Sequence, residues 1–292
     1  MSETVELTVQ KPVGLTVTPH DNGFGAEIGG IDLTKSIRDA DFAWVHKAFL
    51  DYKVLVFRAQ KLDDEAHHRL ARYFGELEGH INKSTRHQAL PKIQIFSNVK
   101  EDGSTTGEHP EKGTLVWHTD KSYVATPSLT TILRSPAIAS VGGDTLFADM
   151  TRAYYNLSTE TRARIDGMAA VHDWKRSREK SKERPATAEE IAAAPPVVHP
   201  MVRTHPETGL KAIYLGNHAS HIVDMAIDEG EALISELEAH ATQSEYIYRH
   251  KWQVDDVLMW DNRCTMHCVE PYDATKERRI VHRVVVKGDK PL

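Results

Sequence analysis

The stretch that decides the reading is WHTD, Trp117 to Asp120, answered far downstream by WDNRCTMH, Trp260 to His267. His118 and Asp120 stand two residues apart, and on an extended backbone alternate side chains share a face, so both can reach one metal ion. A third ligand at His267 would complete two histidines and one carboxylate, a set that leaves neighbouring coordination positions open and suits Fe(II) in enzymes that activate oxygen. H-x-D alone is common by chance, and a strand histidine beside a surface aspartate is the plainer alternative. The arginines after His267 shift the balance. In RRIVHR, Arg278 to Arg283, residues Arg279, Val281 and Arg283 recur at period two and belong on one strand face. A guanidinium is a planar fork matched to carboxylates and sulfonates. Two such groups inside a β core are costly unless acids neutralise them, which points to an acidic cosubstrate and an anionic substrate.

Working outward, GGDT, Gly142 to Thr145, permits a tight turn before a strand. Thr145 can then offer a hydroxyl to the carboxylate held by Arg279. Residues 15–60 read as strand, turn, helix, strand, with Asp39 and Asp41 as candidate caps and KVLVFR, Lys53 to Arg58, as a buried strand. Helices are expected at 63–74, 158–167 and 228–242. Short β-branched and aromatic segments are expected as strands at 93–97, 129–134, 145–148, 212–216, 245–252, 256–260 and 279–287. Many short strands with few helices argue a mainly β sandwich or barrel with peripheral helices. Neither a repeat nor a linker divides residues 1–292, so a single domain is expected. Two polar segments, 100–113 and 175–196, read as solvated loops or as mobile lids over a site.

The bulk numbers exclude more than they assign. The 292 residues carry a formal charge of −6 and no long basic run, against a nucleic-acid surface. Two cysteines cannot build a disulfide framework, in keeping with a reducing cytoplasm. The N-terminus lacks the basic start and apolar core of a signal peptide, and no apolar run reaches the ~18 residues of a membrane span. Cys264, His267 and Cys268 resemble part of a zinc knuckle, but the spacing is irregular and a fourth ligand is not evident. Trp44 and Trp252 read as packing residues, and His199 and His205 as structural.

Ordered matches along almost the whole chain carry a family resemblance: GAEIGGIDL (Gly25 to Leu33), FGEL (Phe74 to Leu77), WHTD, GGDTL (Gly142 to Leu146), HPMVRTHP (His199 to Pro206), YRHKW (Tyr248 to Trp252), MWDNRC (Met259 to Cys264) and RRIVHR. The sequence resembles the taurine dioxygenase and 2,4-dichlorophenoxyacetate dioxygenase family of Fe(II)- and 2-oxoglutarate-dependent oxygenases. The resemblance implies a double-stranded β-helix (jelly-roll) core, iron at His118, Asp120 and His267, and the far carboxylate of 2-oxoglutarate at Arg279 and Thr145, with O2 as the second cosubstrate. Arg283 falls where the taurine enzyme holds its sulfonate, His80 where it places a substrate-contacting histidine, and Trp174 near its aromatic wall. NHASH, Asn217 to His221, looks more like the phenoxyacetate branch and adds His218 as a substrate neighbour. Two departures matter. The stretch from His267 to the arginines is one residue longer than in the taurine enzyme, so Arg278 competes with Arg279 for the cosubstrate. The loop between His80 and His118 is longer as well. The expected substrate is a small anion, an aryloxyalkanoate or related carboxylate, with an aliphatic sulfonate as the alternative. A zinc hydrolase or a small-acid sensor on the same ligands is more remote. A homo-oligomer is expected.

Overall fold

The computed structural model describes residues 11–81 and 85–292. Its frame is an eight-stranded sheet whose path runs Thr16–Pro19, Ala26–Gly29, Val54–Phe57, Val257–Asp261, Ser128–Ala137, Ile280–Lys287 and Leu77–Glu78. Ile93–Ser97 pairs with the first half of Ile280–Lys287. A three-stranded sheet, Ile247–His250, Thr145–Asp149 and Thr265–Val269, lies opposite.

Alternation along the central strands builds both sides of the large sheet. In Val54–Phe57 every side chain is buried, yet the two faces go to different cores. Leu55 and Phe57 pack with Val45, Phe49 and Leu70 of the helices Asp39–Tyr52 and Asp64–Arg72. Val54 and Val56 turn inward to meet Phe147 and Tyr248 of the smaller sheet. Val257 and Met259 likewise face the helices, while Leu258 and Trp260 face inward. Near-continuous apolar runs are what a strand covered on both faces requires. The outer side of the smaller sheet is closed by Met150–Asn156 and Ile227–Ala241.

Most expected elements stand, with shifted ends. The helix at 63–74 is Asp64–Arg72, its first turn closed by the Asp63 carboxylate on Ala66 N. Ser158 caps Thr159–Ile165 in the same way. Asp39 and Asp41 are not caps: Arg38 holds that position without a side-chain bond, and Asp41 pairs back to it. The strand expected at 212–216 is shorter, Lys211–Ile213, and 245–252 opens as a 3-10 turn before Ile247–His250. The reading of 175–196 as loop is corrected. It contains Trp174–Lys180 and Ala188–Ala193, the second opened by a capping box between Thr187 and Glu190. Met150–Asn156 was not foreseen; Asp149, the last residue of a strand, is also its N-cap.

Candidate active site

The site sits between the two sheets. His118 is not on a regular strand as expected. It forms an isolated antiparallel bridge with His267, whose strand Thr265–Val269 it flanks. The two residues exchange both backbone bonds, His118 N to His267 O at 3.0 Å and His267 N to His118 O at 2.9 Å. That exchange sets their rings side by side, centroids 4.1 Å apart. Gly216 backs this corner; a Cβ there would come within 3.0 Å of His118 Cα. Past Thr119 the chain turns at Asp120, and Lys121 takes a left-handed φ of 56°.

The donors of His118, Asp120 and His267 converge, all within 4.8 Å of one another. Nε2 of His118 lies 3.8 Å from Asp120 Oδ1, and Nε2 of His267 lies 3.9 Å from Asp120 Oδ2. All three residues are buried. His118 Nδ1 donates to Val116 O at 2.8 Å, which fixes the tautomer and leaves Nε2 with its lone pair toward the cluster. Burial keeps both histidines neutral: it lowers His118, and it lowers His267 far below the usual imidazole value with His118 adding to the effect. Burial alone would raise Asp120, but the Arg283 guanidinium beside it holds its carboxyl well below the usual range. Two neutral imidazoles and an ionised carboxylate are the forms a divalent metal binds. Asp120 Oδ2 accepts the Thr131 hydroxyl, and Asn262 ties the surroundings together, donating to Thr131 Oγ1 at 3.0 Å and accepting from Trp260 Nε1 at 2.9 Å.

A second cluster, His205, Asp261 and Cys264, is already saturated. Asp261 takes two bonds from the Arg263 side chain and one from His205 Nε2. His205 Nδ1 accepts from Glu207 N and Thr208 N, so no ring nitrogen remains for a metal. His205 is structural, as expected, and so is His199, which bonds Val124 O. Cys268 follows His267 on the strand and falls near Glu238 instead, so the zinc-knuckle grouping is not assembled.

Two adjoining cavities open on the triad. One is largely apolar, walled by Leu133, Val269 and Val281, and ends at Thr145 and Arg279. Of the two competing arginines, Arg279 is buried and borders this cavity, and Arg278 is exposed. Among the described residues the Arg279 guanidinium has no ion-pair partner, and burial lowers it to about 10. A buried, unpaired fork at the end of an apolar slot fits a carboxylate-bearing cosubstrate. Gly142 and Gly143 both have left-handed φ, near 73° and 75°. Gly143 lies beside the Arg279 side chain, where a Cβ would touch Cδ and Nε at 3.6 Å. Thr145 Oγ1 accepts from Trp252 Nε1 at 3.0 Å, leaving its own hydrogen for a ligand. Trp252 is therefore more than the packing residue that the sequence suggests.

The second cavity gathers all four expected substrate residues, His80, Trp174, His218 and Arg283. Arg283 also borders the first. Its guanidinium is buried and paired inside the protein, to Asp120 Oδ1 at 3.1 Å and Gln94 Oε1 at 3.0 Å. His218 Nδ1 meets Ser122 Oγ at 3.1 Å, and burial lowers it to about 3. Tyr123 packs between the His218 and Trp174 rings. Sequence reasoning missed Lys121, which reaches Glu78 at 2.7 Å, and the group where the two polar segments meet. There Glu183 pairs with Arg178 and accepts from Gly113 N, beside Glu111. Burial and the neighbouring Glu183 raise Glu111 to about 8. Gln94 was legible in principle, as a buried polar residue set among Ile93, Ile95 and Phe96 in IQIFS.

A family model described as taurine catabolism dioxygenase TauD, TfdA family, matches residues 16–285. The chain belongs to this family. It is 33% identical over 265 residues to the alpha-ketoglutarate-dependent 2,4-dichlorophenoxyacetate dioxygenase of Cupriavidus pinatubonensis, covering 88% of this chain and 92% of that one. It is also 33% identical to the (S)-phenoxypropionate/alpha-ketoglutarate-dioxygenase of Sphingobium herbicidovorans, over 91% and 93% of the two chains. Among solved structures it resembles AAD-2 in complex with Mn(II) and N-oxalylglycine, with a TM-score of 0.85 and 33% identity over 95% of this chain and 98% of that one. This TauD/TfdA-family protein is thus an alpha-ketoglutarate-dependent dioxygenase that uses Fe(II), 2-oxoglutarate and O2. Among the described residues no helix is long and apolar enough to cross a membrane.

Proposed function

We propose that this dioxygenase hydroxylates a small anionic organic molecule, an aryloxyalkanoate or related carboxylate. The observation that carries the reading is Arg283, a buried guanidinium bordering a cavity beside the His118, Asp120 and His267 cluster. The relatives named for 2,4-dichlorophenoxyacetate and (S)-phenoxypropionate support a carboxylate with an ether oxygen at the neighbouring carbon. An aliphatic sulfonate is the second reading, favoured by the two cationic side chains, Lys121 and Arg283, that line one cavity together with a neutral His80. The family also supports reading the two facing sheets as a double-stranded β-helix, and residues 1–292 as one domain. Two free, buried cysteines support a reducing compartment.

In this reading His118 Nε2, His267 Nε2 and the Asp120 carboxylate hold Fe(II). When bound with 2-oxoglutarate and O2, the metal supplies the oxidising power to hydroxylate a C–H bond, while the cosubstrate leaves as succinate and carbon dioxide. The protein's own part is positioning and exclusion of water. Arg279 and the Thr145 hydroxyl bind the far carboxylate of 2-oxoglutarate, and the apolar walls Leu133, Val269 and Val281 keep water from its chain. Arg283 takes the substrate anion, with His80 and His218 beside it, and Trp174 and Tyr123 bound the organic part. The segments carrying Glu111 and Arg178 close the outer side. A hydroxylated carbon that carries an ether oxygen then expels the aryl alcohol.

The test is succinate release. Purified protein with Fe(II), ascorbate and 2-oxoglutarate is offered aryloxy acids, aliphatic sulfonates and amino-acid-like carboxylates. An aryloxy acid should accelerate release, and Arg283→Met should remove the acceleration while leaving slow substrate-independent decay of 2-oxoglutarate. Unchanged substrate affinity in Arg283→Met would mean that the anion is held elsewhere.

A further inference from the structure

Arg283 stands between the substrate cavity and a metal-binding carboxylate, and it touches both. Its strand, Ile280–Lys287, turns Val281 and Arg283 toward the space between the sheets and Val284 and Val286 toward the helices. Three contacts hold the guanidinium. Nε donates to Gln94 Oε1 at 3.0 Å, the Phe96 ring centre lies 5.1 Å from Cζ, and Nη1 donates to Asp120 Oδ1 at 3.1 Å. Gln94 is itself buried and anchored, through Nε2 to Thr85 Oγ1 at 3.1 Å. A guanidinium has five N–H donors. One is spent on Gln94 and one on Asp120, and the rest are sufficient for a bidentate anion.

Both oxygens of Asp120 are thereby engaged, Oδ2 by the neutral Thr131 hydroxyl and Oδ1 by a cation. A divalent ion held by His118, His267 and Asp120 draws on the same carboxylate charge that Arg283 draws on. The two cations oppose each other across one short, buried group, where screening is weak. An anion bound to Arg283 neutralises one of them and relieves the opposition.

We propose that Arg283 is a positioning residue that couples the two sites: it restrains Asp120 while the cavity holds no anion, and an anion bound to it strengthens the metal's hold on Asp120. The identity of the anion rests on the proposed function, but the Arg283–Asp120 contact does not. Coupling of this kind is reciprocal, so bound metal favours the anion by the same factor.

The experiment measures Mn(II) affinity by quenching of tryptophan fluorescence, with neither cosubstrate nor substrate present. Trp260 is the reporter, its ring 4.5 Å from that of His267. Arg283→Gln and Arg283→Met should bind Mn(II) about fivefold tighter than wild type or more, the lower end of typical site-to-site coupling. Arg283→Lys, which keeps the charge but shortens the reach, should fall between. With Co(II), the visible absorption bands should shift in the two neutral variants as Asp120 Oδ1 is released. Neutral variants that melt like wild type yet bind Mn(II) no tighter would overturn the proposal. If they do not fold, Arg283→Lys carries the test, and wild-type affinity there counts against it. Loss of substrate-driven succinate release with unchanged Mn(II) affinity would leave Arg283 as the substrate anchor and remove the coupling. Tighter Mn(II) binding with normal substrate affinity would show that Arg283 restrains Asp120 without holding the anion, and would overturn the coupling too.

Discussion

Arg279 gives the sharpest prediction, because one substitution should move two measurements in opposite directions. Its guanidinium is buried with no counter-charge among the described residues, and burial lowers it from the ordinary 12.5 to about 10. A base whose folded value lies below its unfolded one costs stability at every pH below the folded value, so the full cost is present at neutral pH. The difference corresponds to about 3 kcal/mol. Arg279→Met, close in volume and uncharged, should therefore stabilise the protein without cosubstrate by up to roughly that amount, raising Tm by several degrees. The same change should cripple cosubstrate binding. Losing a buried, charge-assisted bidentate pair costs about 2–5 kcal/mol, which is roughly a 30- to 4,000-fold rise in the 2-oxoglutarate dissociation constant. Differential scanning calorimetry on the protein without cosubstrate reads the first effect, and titration calorimetry with 2-oxoglutarate the second. Arg278→Met is the control, and it should change neither because Arg278 is exposed. A lower Tm together with unchanged 2-oxoglutarate affinity would refute the reasoning, since Arg279 would then be a structural residue paired in solution.

Other outcomes follow from the same geometry. His267→Ala should abolish turnover and metal retention in equilibrium dialysis while the circular dichroism spectrum stays native; near-normal turnover would remove His267 from the metal set. Thr131→Val deletes the hydroxyl on Asp120 Oδ2 and should weaken Mn(II) binding about 10- to 100-fold, the usual cost of losing a group that orients a ligand; unchanged affinity would mean that Asp120 is held by Asn262 and Arg283 alone. Glu111 keeps a proton up to about pH 8 in the folded chain, whereas its ordinary value is 4.5. The folded state therefore binds more protons across that window, and stability falls as pH rises through it. Glu111→Gln should flatten the decline in melting temperature, and parallel pH profiles for variant and wild type would contradict the assignment.

The site was more legible than its surroundings. His118, Asp120 and His267 could be read because metal chemistry restricts residue type, and Arg279 and Arg283 because period two places them on one face. Burial then separated Arg279 from Arg278, which spacing alone could not do. What escaped were residues whose role comes from contacts far along the chain. Thr131 and Asn262 are ordinary in their segments and matter only because strand pairing of Val257–Asp261 with Ser128–Ala137 brings them together under Asp120. The helices within 175–196 were hidden by charge and alanine runs that look like loop, although Thr187 and Glu190 spell a capping box. Met150–Asn156 was hidden because one residue, Asp149, ends a strand and caps a helix.

The backbone exchange between His118 and His267 gives the metal centre a fixed half and an adjustable half. Both imidazoles are mounted on one pair of mutual main-chain bonds, so neither can move without the other or without parting the bridge. Asp120 lies beyond it, at a turn before a residue in left-handed conformation, and among the described residues it is held by side-chain bonds and its own amide. Ions of different radius will therefore be accommodated by rotation of the carboxylate, with the nitrogen pair acting as a rigid template. Preference among divalent ions is then set on the carboxylate side of the site, where a single methylene more or less, Asp120→Glu, should reorder it.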